Sequence, residues 1–144
     1  MNKILVPLDN FSEISLNAAR YAVEFAKRSD SMPIFLFLSG NDGVKSDCFV
    51  TDVSQETEKE KKIREKIEML IDCSIMEGIK IEQYECCGEY IEKVCEFVQK
   101  LNISEIVIAV PGKKTEHYQK IKKNIFLLVQ MTSCRILTVK KKVG

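Results

Sequence analysis

Apolar positions along this chain alternate between short runs of strand character and longer stretches of helical period. Lys3-Ile-Leu-Val-Pro-Leu8 is β-branched and apolar on both faces, as suits a central strand covered by helices on either side. Pro7 cannot donate to a ladder, so pairing should stop at that end. Asp9-Asn10-Phe11-Ser12 then supplies turn formers and an N-cap, and Leu16, Ala19, Val23 and Ala26 follow at spacings of three and four. This predicts a first helix from about Ser12 to about Arg28. Pro33 opens a second apolar run, Ile34 to Leu38, and Gly40 closes it. From Asn41 to about Val53 no period persists, and the stretch reads as a loop.

Ser54 to about Glu77 carries alternating charge with Ile63, Ile67, Leu70, Ile71 and Ser74 down one side, the pattern of a half-buried helix. The charge run from Glu56 to Lys66 is its solvated face. Gly78 fits a helix stop, and Ile79 to Tyr84 alternates like an edge strand with one open face. After Gly88 a third helix turns Ile91, Val94, Cys95, Val98 and Leu101 inward. Glu105 to Val110 is apolar throughout and reads as a second central strand, broken by Pro111-Gly112. A polar loop through His117 leads to a fourth helical face of Ile121, Ile125, Leu128, Val129 and Thr132, and Arg135 to Val139 is the last strand. Strict alternation of strand and helix requires parallel strands joined by right-handed crossovers, in a single domain over residues 1–144.

Composition narrows the function classes. The 144 residues are 45% hydrophobic and 30% charged, and 22 Lys plus Arg against 21 Asp plus Glu leave a formal charge of +1. That excludes a disordered chain and offers no electrostatic footprint for nucleic acid. The opening Met1-Asn2-Lys3 runs straight into a strand, with no room for a secretion signal, and the apolar runs are too short to span a bilayer. A cytoplasmic protein without a membrane partner is expected. The six cysteines read as reduced thiols, since a core of this size needs no staples. None forms a Cys-x-x-Cys pair and His117 lies far from all of them, so no metal site is expected. Cys86 and Cys87, adjacent at a strand end, should point to opposite faces, one buried and one exposed.

In a doubly wound sheet a crevice opens beyond the carboxyl ends of the strands where the order reverses. The two central strands put Asp9 beside the loop that starts at Ala109 and Gly112, with the N–H groups of the fourth helix aimed at the gap. Here Ile4-Leu-Val-Pro-Leu-Asp9 with Ser12, Ser15 and Ala18, then Gly88, then Ile106-Val-Ile-Ala-Val-Pro-Gly112, and finally Cys134-Arg-Ile-Leu-Thr-Val139 resemble the successive landmarks of universal stress proteins. The resemblance implies an open five-stranded parallel sheet in the order 3-2-1-4-5 with helices on both faces, the adenine nucleotide alpha hydrolase-like fold. ATP-binding members of that family carry Gly-x2-Gly-x9-Gly-Ser/Thr after the fourth strand. In the same register this chain has Ala109, Gly112, Lys122 and Lys123, so only Gly112 survives. The resemblance thus marks Pro7, Asp9, Ala109, Gly112, Lys122 and Lys123 as the counterpart of the nucleotide site.

A long side chain at Lys122 stands where main-chain N–H groups would approach a phosphate, so family-style ATP binding is not expected. Lys122 and Lys123, with Lys113, Lys114 and Lys120, could instead hold a smaller anion as point charges. Asp9 matches the position beside base or ribose, although it equally suits the end of a strand and the capping of the first helix. Gly112-Lys-Lys-Thr115 is no Walker loop, because the earlier glycine of that motif would fall on Val107.

No nucleophile with its base, metal set or carboxylate pair is evident, so the expectation is a non-enzymatic stress-response domain acting by dimerisation and by binding a protein partner or a small anion. The alternative is a nucleotide switch or weak nucleotide hydrolase with an altered phosphate loop. No resident cofactor is expected, with ATP or another phosphate-bearing ligand as the candidate occupant. Universal stress proteins commonly pair through their last strands, which implies a homodimer through Ile136, Leu137, Thr138 and Val139, bounded by Lys140-Lys-Lys142.

Overall fold

A computed structural model of the chain describes residues 1–39 and 56–140. In chain order the elements are β1 (Asn2–Leu8), α1 (Glu13–Arg28), β2 (Ser31–Ser39), α2 (Glu58–Met76), β3 (Glu82–Cys87), α3 (Tyr90–Leu101), β4 (Glu105–Val110), α4 (His117–Met131) and β5 (Arg135–Lys140). The five strands form one parallel sheet in the order β3-β2-β1-β4-β5. The expected loop from Asn41 to Val53 lies outside the described residues.

Strand periodicity divides the core into two layers. Ile4, Val6 and Leu8 of β1, Phe35 of β2 and Val107 of β4 face α1 and α2, meeting Leu16, Ala19, Val23, Ile63, Ile67 and Ile71. Leu5, Ile34, Leu36, Ile106 and Ile108 point the other way, against Ile91, Val94 and Phe97 of α3 and Ile121 and Leu128 of α4. A strand buried on both sides must be apolar at every position, which is why β1, β2 and β4 read as continuous hydrophobic runs.

Several boundaries differ from the sequence expectation for identifiable reasons. Ile79 does not begin the edge strand. Gly78, at φ 97, lets its own N–H bond the Ile75 carbonyl and the Ile79 N–H bond that of Ser74, so Ile79 closes α2 and β3 starts only at Glu82. At the other end of α2, Thr57 and Glu60 form a reciprocal capping box, and the helix begins at Glu58. Pro33 lies inside β2 rather than opening it, since β3 pairs only from Ile34 onward and makes no demand on the proline.

On α4 the buried face is Ile121, Asn124 and Leu128, whereas Val129, expected inside, is 57% exposed. The Asn124 amide nitrogen has no hydrogen-bond partner among the described residues, and neither has Oε1 of the buried Glu105, whose Oε2 is bonded by Arg135 of β5. No helix among the described residues is long and apolar enough to cross a membrane.

Candidate functional site

β1 and β4 lie side by side yet pair only at Ile4 with Glu105 and Leu5 with Ile106. Pro7 brings no N–H to a ladder. Beyond Leu5, β1 stays in register with β2 alone, as far as Leu8 opposite Phe37. The chain then leaves β1 for the helix layer on one face and leaves β4 for the layer on the other. Between these diverging exits opens a cavity of about 510 Å³, a size suited to a small-molecule ligand.

Its β1 side is closed by side-chain hydrogen bonds. Ser12 caps α1 by accepting from the Ser15 N–H at 3.4 Å. The Ser15 hydroxyl donates to Oδ1 of Asn10 at 3.0 Å, and Nδ2 of Asn10 donates to Oδ1 of Asp9 at 2.9 Å. Capping therefore falls to Ser12, and Asp9, at the far end of this chain of bonds, lines the cavity as an exposed carboxylate.

The β4 side is built differently. Thr115 folds back on Gly112, donating to its carbonyl from the main chain at 3.0 Å and from the hydroxyl at 2.8 Å. Glu116 occupies the N-cap of α4 in helical conformation and makes no side-chain capping bond. His117 and Lys120, three residues apart and so on one face of the helix, reach the cavity together with Thr115 and Pro111.

Of the residues marked by the sequence, Pro7, Asp9 and Ala109 line the cavity. Gly112 sits in its β4 loop, where a Cβ would meet nothing within 4 Å. Lys122 and Lys123 are exposed and are not among the lining residues, which differs from the role expected of them. Each helical residue turns the side chain by about 100°, so with Lys120 and Ile121 facing the cavity the next two positions turn away. The Lys122 ammonium instead lies 5.5 Å from the centre of the Tyr118 ring.

Tyr90 belongs to no motif that marks it in the sequence. Gly88, at φ 145, turns the chain at the end of β3, and the Glu89 carboxylate caps α3 by accepting from Ile91 and Glu92 main-chain N–H groups at 3.0 and 2.9 Å. Tyr90 is thereby the first residue of α3, its ring packed on the Ile91, Ile108 and Ile121 cluster and its side chain lining the cavity. Burial, and secondly the Asp9 carboxylate, push the phenol far above its ordinary value of 10.0.

Among the described residues no group of His, Cys, Asp or Glu could hold a metal ion. Cys73, Cys86, Cys95 and Cys134 are free thiols, and burial raises the last three above their ordinary value. Cys87 is disulfide-bonded, which corrects the reading of six reduced thiols at that position. Cys86 and Cys87 are both half-buried, not one buried and one exposed.

No curated protein matches the chain by sequence. Solved structures do match over nearly the whole length. A universal stress protein in complex with cAMP is 16% identical with a TM-score of 0.69, covering 96% of each chain. The universal stress protein UspA from Lactobacillus plantarum is 17% identical with a TM-score of 0.66, covering 96% of this chain and 97% of its own. The universal stress protein from Archaeoglobus fulgidus in complex with dAMP is 15% identical with a TM-score of 0.64, covering 97% and 98%. At such identities the likeness is one of fold. The sequence itself matches the family model of the universal stress proteins over residues 1–119, and with the strand order and the exits of β1 and β4 described above, this chain belongs to the universal stress protein family.

Proposed function

We propose that the chain is a non-catalytic regulatory domain of the stress response that binds a nucleoside monophosphate in the crevice between β1 and β4 and works as a homodimer. The observation that carries this reading is the charge of the cavity lining. Among the described residues lining it, Lys120 is the one lysine, accompanied by the His117 imidazole and the uncapped start of α4, while Asp9 and Glu60 add two carboxylates. One phosphate group finds a cation and main-chain donors there. A triphosphate tail would add charge without adding partners, since two of the three glycines that cradle it in ATP-binding relatives are replaced, by Ala109 and Lys122. Two relatives of the same fold were solved with cAMP and dAMP, ligands that carry a single phosphate.

Calorimetry of the purified chain with AMP and ATP tests the reading. AMP should bind in the micromolar range, with ATP no tighter. Absence of heat from AMP at millimolar concentration overturns it, and ATP binding more tightly than AMP replaces it with the nucleotide-switch alternative.

The homodimer is supported by the open edge of the sheet. β5 is the outermost strand, with Ile136, Leu137 and Val139 only half-buried, and α4 beside it exposes Phe126 at 60% and Val129 at 57%, three residues apart on one helical face. A second copy pairing along Ile136, Leu137, Thr138 and Val139 would cover this surface. Light scattering should give twice the chain mass, and a monomer at working concentration overturns the assembly.

A further inference from the structure

We infer that the Tyr90 hydroxyl is a specificity-determining donor of this site, binding a neutral acceptor on the nucleoside part of the ligand and so fixing which way round the ligand lies. The inference rests on the mononucleotide reading above and names the residue that orients that ligand.

A phenol packed into an apolar cluster ordinarily finds a hydrogen-bond partner inside the protein. Of the two other tyrosines packed on this layer, Tyr84 donates to Glu82 at 2.9 Å, and Tyr118 has the Lys122 ammonium 5.5 Å from its ring centre. The Tyr90 hydroxyl has no hydrogen bond among the described residues, although the residue is packed against the buried cluster of this layer. It lines the cavity. Nor does the hydroxyl count among the sealed, unpartnered polar atoms. A donor without a partner among the described residues therefore belongs to the lining of the space a ligand would fill.

The surroundings decide what it can meet. Tyr90 stands close enough to feel the Asp9 carboxylate. The α3 N-terminus beneath it is already occupied by the Glu89 carboxylate. Both negative groups repel a phosphate from this side, whereas Lys120 and the uncapped α4 attract one on the other. The partner left for Tyr90 is a neutral acceptor, a sugar hydroxyl or a base nitrogen or carbonyl. A sugar hydroxyl can accept from Tyr90 while donating to Asp9. The phenol stays protonated throughout the working pH range, so the donor is always available.

Tyr90→Phe removes only the hydroxyl and leaves the ring that packs the cluster. Binding of AMP, adenosine and inorganic phosphate to the wild-type chain, to Y90F and to K120A gives the test. Y90F should weaken AMP and adenosine by the same factor, about five- to tenfold for one lost hydrogen bond, with phosphate binding unchanged. K120A should weaken AMP and phosphate but not adenosine. In wild-type protein with ring-labelled tyrosine, the NMR resonances that disappear in Y90F should shift on saturation with adenosine, a readout that does not depend on how the variant folds. If adenosine binds Y90F as tightly as wild type, or leaves those resonances in place, the Tyr90 role falls and the mononucleotide reading stands. A variant weakened toward phosphate as much as toward adenosine overturns the proposed orientation. AMP failing to bind the wild type at all overturns both.

Discussion

The two strand exits that frame the crevice are made of similar residue types and come out opposite. After β1, Ser12 caps α1, and Ser15, Asn10 and Asp9 bond one another in sequence, so the polar side chains satisfy the helix and each other. After β4, the Thr115 side chain turns back on the Gly112 carbonyl and Glu116 caps nothing, so in the first turn of α4 no side chain takes up a main-chain donor and Tyr118 N–H bonds only the Thr115 carbonyl, at 3.3 Å. The first exit is bonded to itself and carries a carboxylate. The second is open and carries Lys120 and His117. A helix end left uncapped beside a cation is poor for stability and good for an anion, and under the proposed function the first exit serves the fold and the second the ligand.

The strongest way to break this contrast is to remove the floor both exits share. Ile108 is 2% exposed and lines the cavity. Ile108→Ala should cost about 2–5 kcal/mol in chemical denaturation and loosen ligand binding as well. Next in size, Lys120→Ala should lower affinity for AMP by an order of magnitude or more, as expected for a charge-assisted bond worth about 1.5–3 kcal/mol, with the melting temperature unchanged. An equal loss from Lys122→Ala would show that the cation is not specific to the cavity face of α4.

Ser12→Ala should destabilise the chain by about 1 kcal/mol through loss of the N-cap, whereas Glu116→Ala, at the equivalent place on the other exit, should change stability by less than about 0.5 kcal/mol. Equal costs would erase the distinction between a committed and an available helix end. A last contrast is in pH. The Tyr90 phenol is raised above its unfolded value of 10.0, so its contribution is fully present below pH 10 and is lost as pH climbs from there toward the folded value. Thermal melts should therefore fall above pH 10 in the wild type and fall less in Y90F.

Much of the fold was legible because the strands carry their burial openly. β1 and β4 are apolar on both faces and must be central, and once they are neighbours the switch-point rule brings Asp9 and Ala109 to one crevice. The phase of α4 was harder to read. Apolar spacing favoured Val129 over Asn124, because a hydrophobic pattern does not register a buried amide, and the family's glycine register pointed to Lys122 and Lys123 although the helix phase turns Lys120 inward. Tyr90 was invisible for another reason. It lies at the start of an amphipathic helix, and only the packing of α3 on this core layer brings it to the lining of the hollow. The start of β3 was misplaced because Ile79, which alternates like a strand residue, is used to close α2.

The brief seam between β1 and β4, two rungs long, makes the hollow a property of the main chain. Replacing one wall residue changes the size or charge of its lining and leaves this seam in place. The proposed ligand preference can therefore drift by side-chain substitution while the strand order stays the same.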